Sequence, residues 1–148
     1  SFIDIFPNEY LLDRNYLSLS DSEIKDISKG VSLLNTLSEY DNAQSCVISN
    51  GYILAIEAVE GTDKMLSRVN SIKRKISRNI TEGALIKLPK KKQSLKVDLP
   101  TVGPNTLKLM YKNKLNVLGV SRDTTIVVEK KKFYQLLKKY KIKLYFVD

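Results

Sequence analysis

The chain has 148 residues, 43% hydrophobic and 28% charged, enough for one domain with a sizeable core. It contains no His and a single Cys, Cys46. That excludes a Ser-His-Asp triad, a Cys-His dyad, imidazole metal ligands, an internal disulfide and a Cys-based zinc site. Chemistry here would run on carboxylates, hydroxyls, amides and lysines, with any metal a hard cation held by oxygen, such as Mg²⁺, Mn²⁺ or Ca²⁺. The net charge of +9 biases the domain toward anionic partners: phosphates, nucleic acid or an acidic membrane surface. The lysines are spread along the chain, however, and solvated helix faces account for most of their clusters.

Residues 1–19, with Pro7 and scattered aromatics, read as an irregular arm. The first residues, Ser1-Phe2-Ile3, lack an initiator Met, so a processed or truncated chain is expected. The longest apolar stretch, Tyr52 to Ile56, is far below the roughly 20 residues of a membrane span, and a soluble domain is expected. Ser20 and Glu23 have capping-box spacing, with Leu19 and Ile24 as a staple, and Ile24, Ile27, Val31, Leu34 and Leu37 continue a helical stripe to about Glu39. Two short apolar runs flank Asn50-Gly51, which predicts a two-residue hairpin turn.

Thr62 reads as the N-cap of a second helix whose buried stripe is Met65, Val69, Ile72 and Ile76. A strand over Gly83 to Leu88 opens into a Lys-rich loop. Pro104 fits the first position of a third helix with Leu107, Met110 and Tyr111 on its apolar face. Strands follow over Asn116–Val120 and Thr125–Glu129, then a helix marked by Phe133, Leu136, Leu137 and Tyr140, and a last strand over Ile142–Val147. The expected fold is α/β, a mixed sheet with about four helices.

Two segments carry chemistry. In Glu57-Ala58-Val59-Glu60-Gly61-Thr62-Asp63 a strand ends in carboxylates and a helix begins at Gly-Thr. Exposed amides and the dipole there favour phosphate oxygens, and the hydroxyl and carboxylates can hold a sugar or a hard cation. The plainer reading has Thr62 as a cap, Asp63 complementing the dipole, and Glu57 and Glu60 solvated. The second segment runs from Lys87 to Thr106 around Asp98, which precedes Pro100 and is held extended. Such a carboxylate can ligate Mg²⁺ or orient a water against a diphosphate, with Lys87, Lys90 and Gln93 meeting phosphate oxygens. The plainer reading makes Asp98 a turn residue and the lysines a solvated loop. No GxxxxGK or GxGxxG phosphate loop is present.

Taken together, the two segments point to a family. Ala55 through Asp63 resembles the Glu-x-x-Glu-Gly-Thr-Asp signature of the LpxI-type UDP-2,3-diacylglucosamine hydrolases. Val97-Asp98-Leu99-Pro100-Thr101-Val102-Gly103-Pro104-Asn105-Thr106 is similar to that family's Asp-x-Pro-x-x-Gly-x-x-Thr block. Asp26-Ile27-x-x-Gly30 and Asp41-Asn42-Ala43-Gln44 add support, and the resemblance runs from about residue 7 to the end.

The resemblance implies hydrolysis of the diphosphate of UDP-2,3-diacylglucosamine to UMP and 2,3-diacylglucosamine 1-phosphate (lipid X) in lipid A biosynthesis. It implies a divalent cation, Mg²⁺ or Mn²⁺, and an N-terminal Rossmann-like domain that this chain lacks, residues 20–148 being the C-terminal catalytic domain. Carried over by position, Asp98 becomes the essential carboxylate, as metal ligand or water-orienting base. Glu60 and Asp63 are further metal candidates, and Gly61, Thr62, Thr101, Gly103 and Thr106 join the lysines and Gln93 in contacting substrate. Lys91, Ser94 and Lys96 stand where the family commonly has Pro, Asp and Arg, and Lys96 lacks arginine's bidentate fork. The expected partners are UDP-2,3-diacylglucosamine, the chain's own N-terminal domain, the inner-membrane surface of a Gram-negative bacterium with the protein cytoplasmic and peripheral, and a second copy in a homodimer. Alone, the fragment is expected to fold but to hydrolyse substrate poorly. The alternative is a non-catalytic basic nucleic-acid-binding module, against which Tyr111, Phe133 and Tyr140 fall on predicted buried stripes.

Overall fold

The computed structural model describes residues 18–40, 44–76, 80, 82–90 and 99–148. The arm over 1–17 and the loop over 91–98, which includes Gln93 and Asp98, lie outside the described residues.

The first helix, α1 (Asp21–Leu37), starts where its capping box predicts. The Ser20 Oγ accepts the Glu23 amide at 3.2 Å, and Glu23 Oε1 accepts the Ser20 amide at 2.9 Å, so two orphan donors are satisfied reciprocally. Strands β1 (Ser45–Ser49) and β2 (Tyr52–Ile56) form the expected hairpin. Asn50 and Gly51 both take positive φ, 49° and 80°, as a primed two-residue turn requires. Asp26 of α1 grips that turn, accepting the Asn50 and Gly51 amides at 2.9 and 2.8 Å.

The single helix expected after Thr62 is two: α2 (Thr62–Ser67) and α3 (Val69–Ile76), broken at Arg68. There the Arg68 amide reaches only to Met65, one residue short of the α-helical partner. Strand β3 (Ala84–Lys87) and strand β4 (Thr101–Val102) follow, then α4 (Pro104–Lys112), which begins at Pro104 as expected. After β5 (Val117–Val120) comes β6, reduced from the expected Thr125–Glu129 to Ile126–Val127. The chain turns away at once because Glu129 takes a left-handed φ of 48° into α5 (Lys130–Tyr140). Strand β7 (Lys143–Phe146) completes the described elements.

The main sheet has the order β2-β1-β3-β5-β7. Strands β3, β5 and β7 are parallel, and β1 is antiparallel to both β2 and β3. Side chains alternate across it. Val47, Leu85 and Leu118 join one core with Met65, Leu107, Met110, Phe133 and Leu137 of the helices on that face. Cys46, Ile48, Ala84, Ile86 and Val117 join a second core under Ile27 and Leu34 of α1. The result is a three-layer α/β/α domain. At Gly30 a Cβ would fall 2.6 Å from Ile86 Cδ1, so the glycine sets how closely α1 lies on the sheet. Truncating a central residue such as Leu85 would cost about 2–5 kcal/mol.

Three expected stripe residues are exposed: Ile24, Ile76 and, at 60% exposure, Tyr111, which stacks on the half-buried Tyr140 with ring centroids 4.3 Å apart. A two-stranded parallel sheet, Thr101 beside Ile126 and Val102 beside Val127, lies outside the main one. Among the described residues no helix is long and apolar enough to cross a membrane.

Candidate active site

The antiparallel β1 decides what meets at one edge of the sheet. Its first residue, Ser45, lies beside Lys87, the last of β3, while Cys46 lies beside Ile56, the last of β2. Starts and ends of strands thus converge, at the carboxyl edge of the parallel strands where α/β sheets commonly take ligands.

Glu57, just past β2, is fixed there. Its amide donates to the Ser45 carbonyl at 2.9 Å. The Ser45 Oγ donates to Glu57 Oε2 at 3.0 Å, the Thr62 Oγ1 donates to Glu57 Oε1 at 3.3 Å, and the two hydroxyls lie 3.3 Å apart. Thr62 is therefore no N-cap. It is the first helical residue, buried, with its hydroxyl spent on Glu57. Gly61 holds the cap position at φ 87°, ψ 167°, a conformation essentially confined to glycine.

Glu60 and Asp63 part company. Arg68 donates from Nη2 to Glu60 Oε1 at 2.8 Å and to the Ile56 carbonyl at 2.9 Å. The helix break thereby returns a guanidinium to the loop before it. Glu60's own backbone amide and then Arg68 hold its carboxyl below the usual range. Asp63 instead faces the second segment: Asn105 Nδ2 donates to Asp63 Oδ2 at 2.9 Å.

Lys87, the first residue of the second segment, braces that segment from within and faces the carboxylates of the first. Its Nζ donates to the Thr101 carbonyl at 2.8 Å. Burial pulls its pKa down, against the opposing carboxylates of Glu57 and Asp63. In the second segment the Thr106 Oγ1 accepts the Gly103 amide at 3.4 Å and is buried, a local bracing of α4. Gly103 has ordinary extended backbone, but a Cβ there would meet Val128 Cγ2 at 2.5 Å. Lys90 is half-buried at the end of the described part of the loop.

Of the residues singled out from sequence, the structure bonds Thr62 to Glu57 and sets Lys87 against the carboxylates of Glu57 and Asp63 and the Thr101 carbonyl. It turns Glu60 toward Arg68 and places Thr106 inside the fold. Among the described residues no three His, Cys, Asp or Glu side chains come together as a metal cage. Sequence reasoning missed the roles of Ser45 and Asn105. Asn105 stands inside the quoted second block, where a polar side chain one residue past Pro104 was the available signal; Ser45 carried none.

The domain is a three-layer α/β unit whose two signature segments meet at one sheet edge. Residues 15–145 match the family model described as the LpxI C-terminal domain, and the chain belongs to that family. Among curated proteins it is similar to a UDP-2,3-diacylglucosamine pyrophosphatase LpxI of Caulobacter vibrioides, 37% identical over 95 residues. That match covers 62% of this chain and 33% of the relative, so it spans about a third of the relative's length.

Proposed function

We propose that the chain is the catalytic C-terminal portion of a UDP-2,3-diacylglucosamine diphosphatase, splitting the diphosphate with water to give UMP and 2,3-diacylglucosamine 1-phosphate. The observation that carries the reading is the meeting of the two signature segments through Asn105 and Asp63, with the Lys87 ammonium between them. A hydrolase acting on a diphosphate needs a cation and carboxylates within one small space, because catalysis of phosphoryl transfer is positioning plus charge stabilisation.

In this proposal Lys87 faces the diphosphate oxygens. Glu57, pinned by Ser45 and Thr62, acts behind Lys87 as a fixed countercharge rather than as a group touching substrate. Asp98 orients the attacking water and accepts its proton as the new oxygen–phosphorus bond forms at the phosphorus nearer the glucosamine and UMP departs. Among the described residues the donor chemistry of this edge fits a hard cation only in part: Asp63 offers oxygen, whereas Glu60 is committed to Arg68. Mg²⁺ or Mn²⁺ held by Asp63 and Asp98 would neutralise diphosphate charge.

The test joins this chain to its native N-terminal domain and follows Mg²⁺-dependent UMP release from UDP-2,3-diacylglucosamine, with and without Asp98→Ala. Release that is lost in a folded Asp98→Ala protein supports both the activity and the role of Asp98. Undiminished release keeps the activity and moves the essential carboxylate to Asp63. No release by either form rejects the proposal.

A further inference from the structure

The strand ends at the candidate edge lie in one row: Lys87 of β3 is in register with Val120 of β5, and Val120 with Phe146 of β7. The loop from β5 to β6, residues 121–125, leaves that row beside Lys87. It returns beside the second signature segment, where Ile126 pairs with Thr101. The Lys87 Nζ is itself bonded to the Thr101 carbonyl. Both ends of the loop are thus tied to the neighbourhood of Lys87, although the loop belongs to neither signature segment.

The loop is held firmly. The Ser121 Oγ donates to Asp148 Oδ2 at 2.7 Å, the Arg122 amide donates to Asp148 Oδ1 at 2.8 Å, and the Thr125 Oγ1 donates to the Ser121 carbonyl at 2.6 Å. Asp148 thus takes the hydroxyl and backbone of the loop, while the Arg122 guanidinium lies over the Phe146 ring, 4.6 Å from its centroid. Within this frame sit the two side-chain polar atoms that, among the described residues, are buried without a hydrogen-bond partner: Arg122 Nε and Thr124 Oγ1. Buried polar groups are nearly always paired, because an unpaired one loses its hydration and gains nothing for it. Two such groups in one loop, at the edge where α/β sheets take ligands, mark a place completed from outside the fold.

Their chemistry defines the occupant. The Nε–H can only donate, a threonine hydroxyl donates as readily as it accepts, and the guanidinium carries a fixed positive charge. The shared partner is an anionic oxygen group, and the planar guanidinium fits the oxygens of a phosphate. We infer that Arg122 and Thr124 bind a phosphate group of the diphosphate substrate, extending the site past Lys87 along the sheet edge. The assignment to that substrate rests on the proposed function, whereas the anion site rests on the loop itself. Because Arg122 is already ordered by Phe146 and by the fixed amide, little side-chain freedom is lost on binding.

The test is calorimetric titration of the two-domain protein with inorganic pyrophosphate, without divalent cation, beside the UMP-release assay. Arg122→Gln should weaken pyrophosphate binding at least about tenfold, as expected for one lost charge-assisted hydrogen bond. It should raise the KM for substrate by a similar factor with kcat little changed. Thr124→Val keeps the shape and removes the hydroxyl, and should weaken binding about threefold to tenfold. It carries the test if Arg122→Gln loses its fold with the Phe146 contact. Lys25→Gln removes an equal charge at the opposite edge, in the turn where Glu23 meets the first residue of β7, and should leave binding within about twofold. Unchanged affinity in both Arg122→Gln and Thr124→Val would overturn the anion site, as would no pyrophosphate binding by the unaltered protein. So would a loss in Lys25→Gln as large as that in Arg122→Gln. Weaker pyrophosphate binding with UMP release unaltered would overturn the assignment to substrate and leave a site for free phosphate. Pyrophosphate binding that depends on Arg122 and Thr124 in a protein that releases no UMP would keep the anion site and reject the enzymatic proposal.

Discussion

Asn105 donates a hydrogen bond to Asp63 across 42 residues of sequence, and that contact joins the two segments that carry the family signature. Both residues are exposed, so the bond does little for stability, on the order of 1 kcal/mol. Its effect is to hold the start of α2 against the start of α4.

Asn105→Ala is accordingly expected to lower UMP release by the two-domain protein at least tenfold while moving the thermal midpoint by only a few degrees. Asp63→Ala should lower it further, and the double variant should fall no lower than Asp63→Ala alone. Strictly additive losses would mean that the pair does not act as a unit.

Glu23 gives an acid-side prediction. Burial pushes its carboxyl up, but hydrogen bonds from Lys143 and Ser20 outweigh that and hold it below the ordinary value of 4.5. The folded pKa is thus below the unfolded one. Glu23 contributes stability above the unfolded pKa, and that contribution is lost as pH falls through the folded value. Glu23→Gln should cost about 1–3 kcal/mol at pH 7 and flatten the acid limb of denaturation midpoints measured from pH 7 down to pH 3.

Lys73 predicts the opposite limb. It is 3% exposed and donates from Nζ to the carbonyls of Asn113 at 2.8 Å and Lys114 at 2.9 Å, closing the end of α4. Burial, aided by the charge of Lys114 and opposed by Glu82, pulls it down to about 8. An unfolded lysine titrates near 10.4, so the unfolded chain binds more protons between about 8 and 10.4, and stability from this group rises with pH across that window. Lys73→Met should remove that rise and leave two carbonyls unpaired, costing about 1–3 kcal/mol near pH 10, where the native amine is neutral. Denaturant titrations of both proteins across the window read the difference.

Cys46 is fully buried between α1 and β1, and burial pushes its thiol up to about 12. An alkylating reagent at pH 8 should label it only through opening of the fold, at a rate that follows global stability. Rapid labelling under native conditions would place the α1 layer in a separate, weaker unit.

Local chemistry made much of the fold readable. Ser20 with Glu23, Asn50 with Gly51, and Pro104 each satisfy backbone groups within a few residues, so their signals survive without tertiary context. The errors have the same explanation reversed. Thr62 has the composition of a cap, but its hydroxyl goes to Glu57, and Tyr111 continues a helical stripe yet meets Tyr140 at the surface. Strand β4 was missed because its two residues leave no alternation to detect, whereas β6 was expected and is only shorter. At the candidate site, single chain segments announced Asp63, Lys87 and Thr101. Asn105, the partner of Asp63, comes from the other segment, 42 residues away, and only folding brings it into reach.

The hydrogen bond between Lys143 and Glu23 spans 120 positions, at 2.6 Å, and ties the first described helix to the last strand. On the ribosome, α1 emerges early and its capping carboxylate must wait for β7 to be translated. Until then the sheet lacks an edge strand and α1 lacks part of its seat, beside Tyr145 and Val147. Completion of this domain is therefore a late, concerted event, and a nascent chain stalled before Lys143 would be a client for chaperones and proteases.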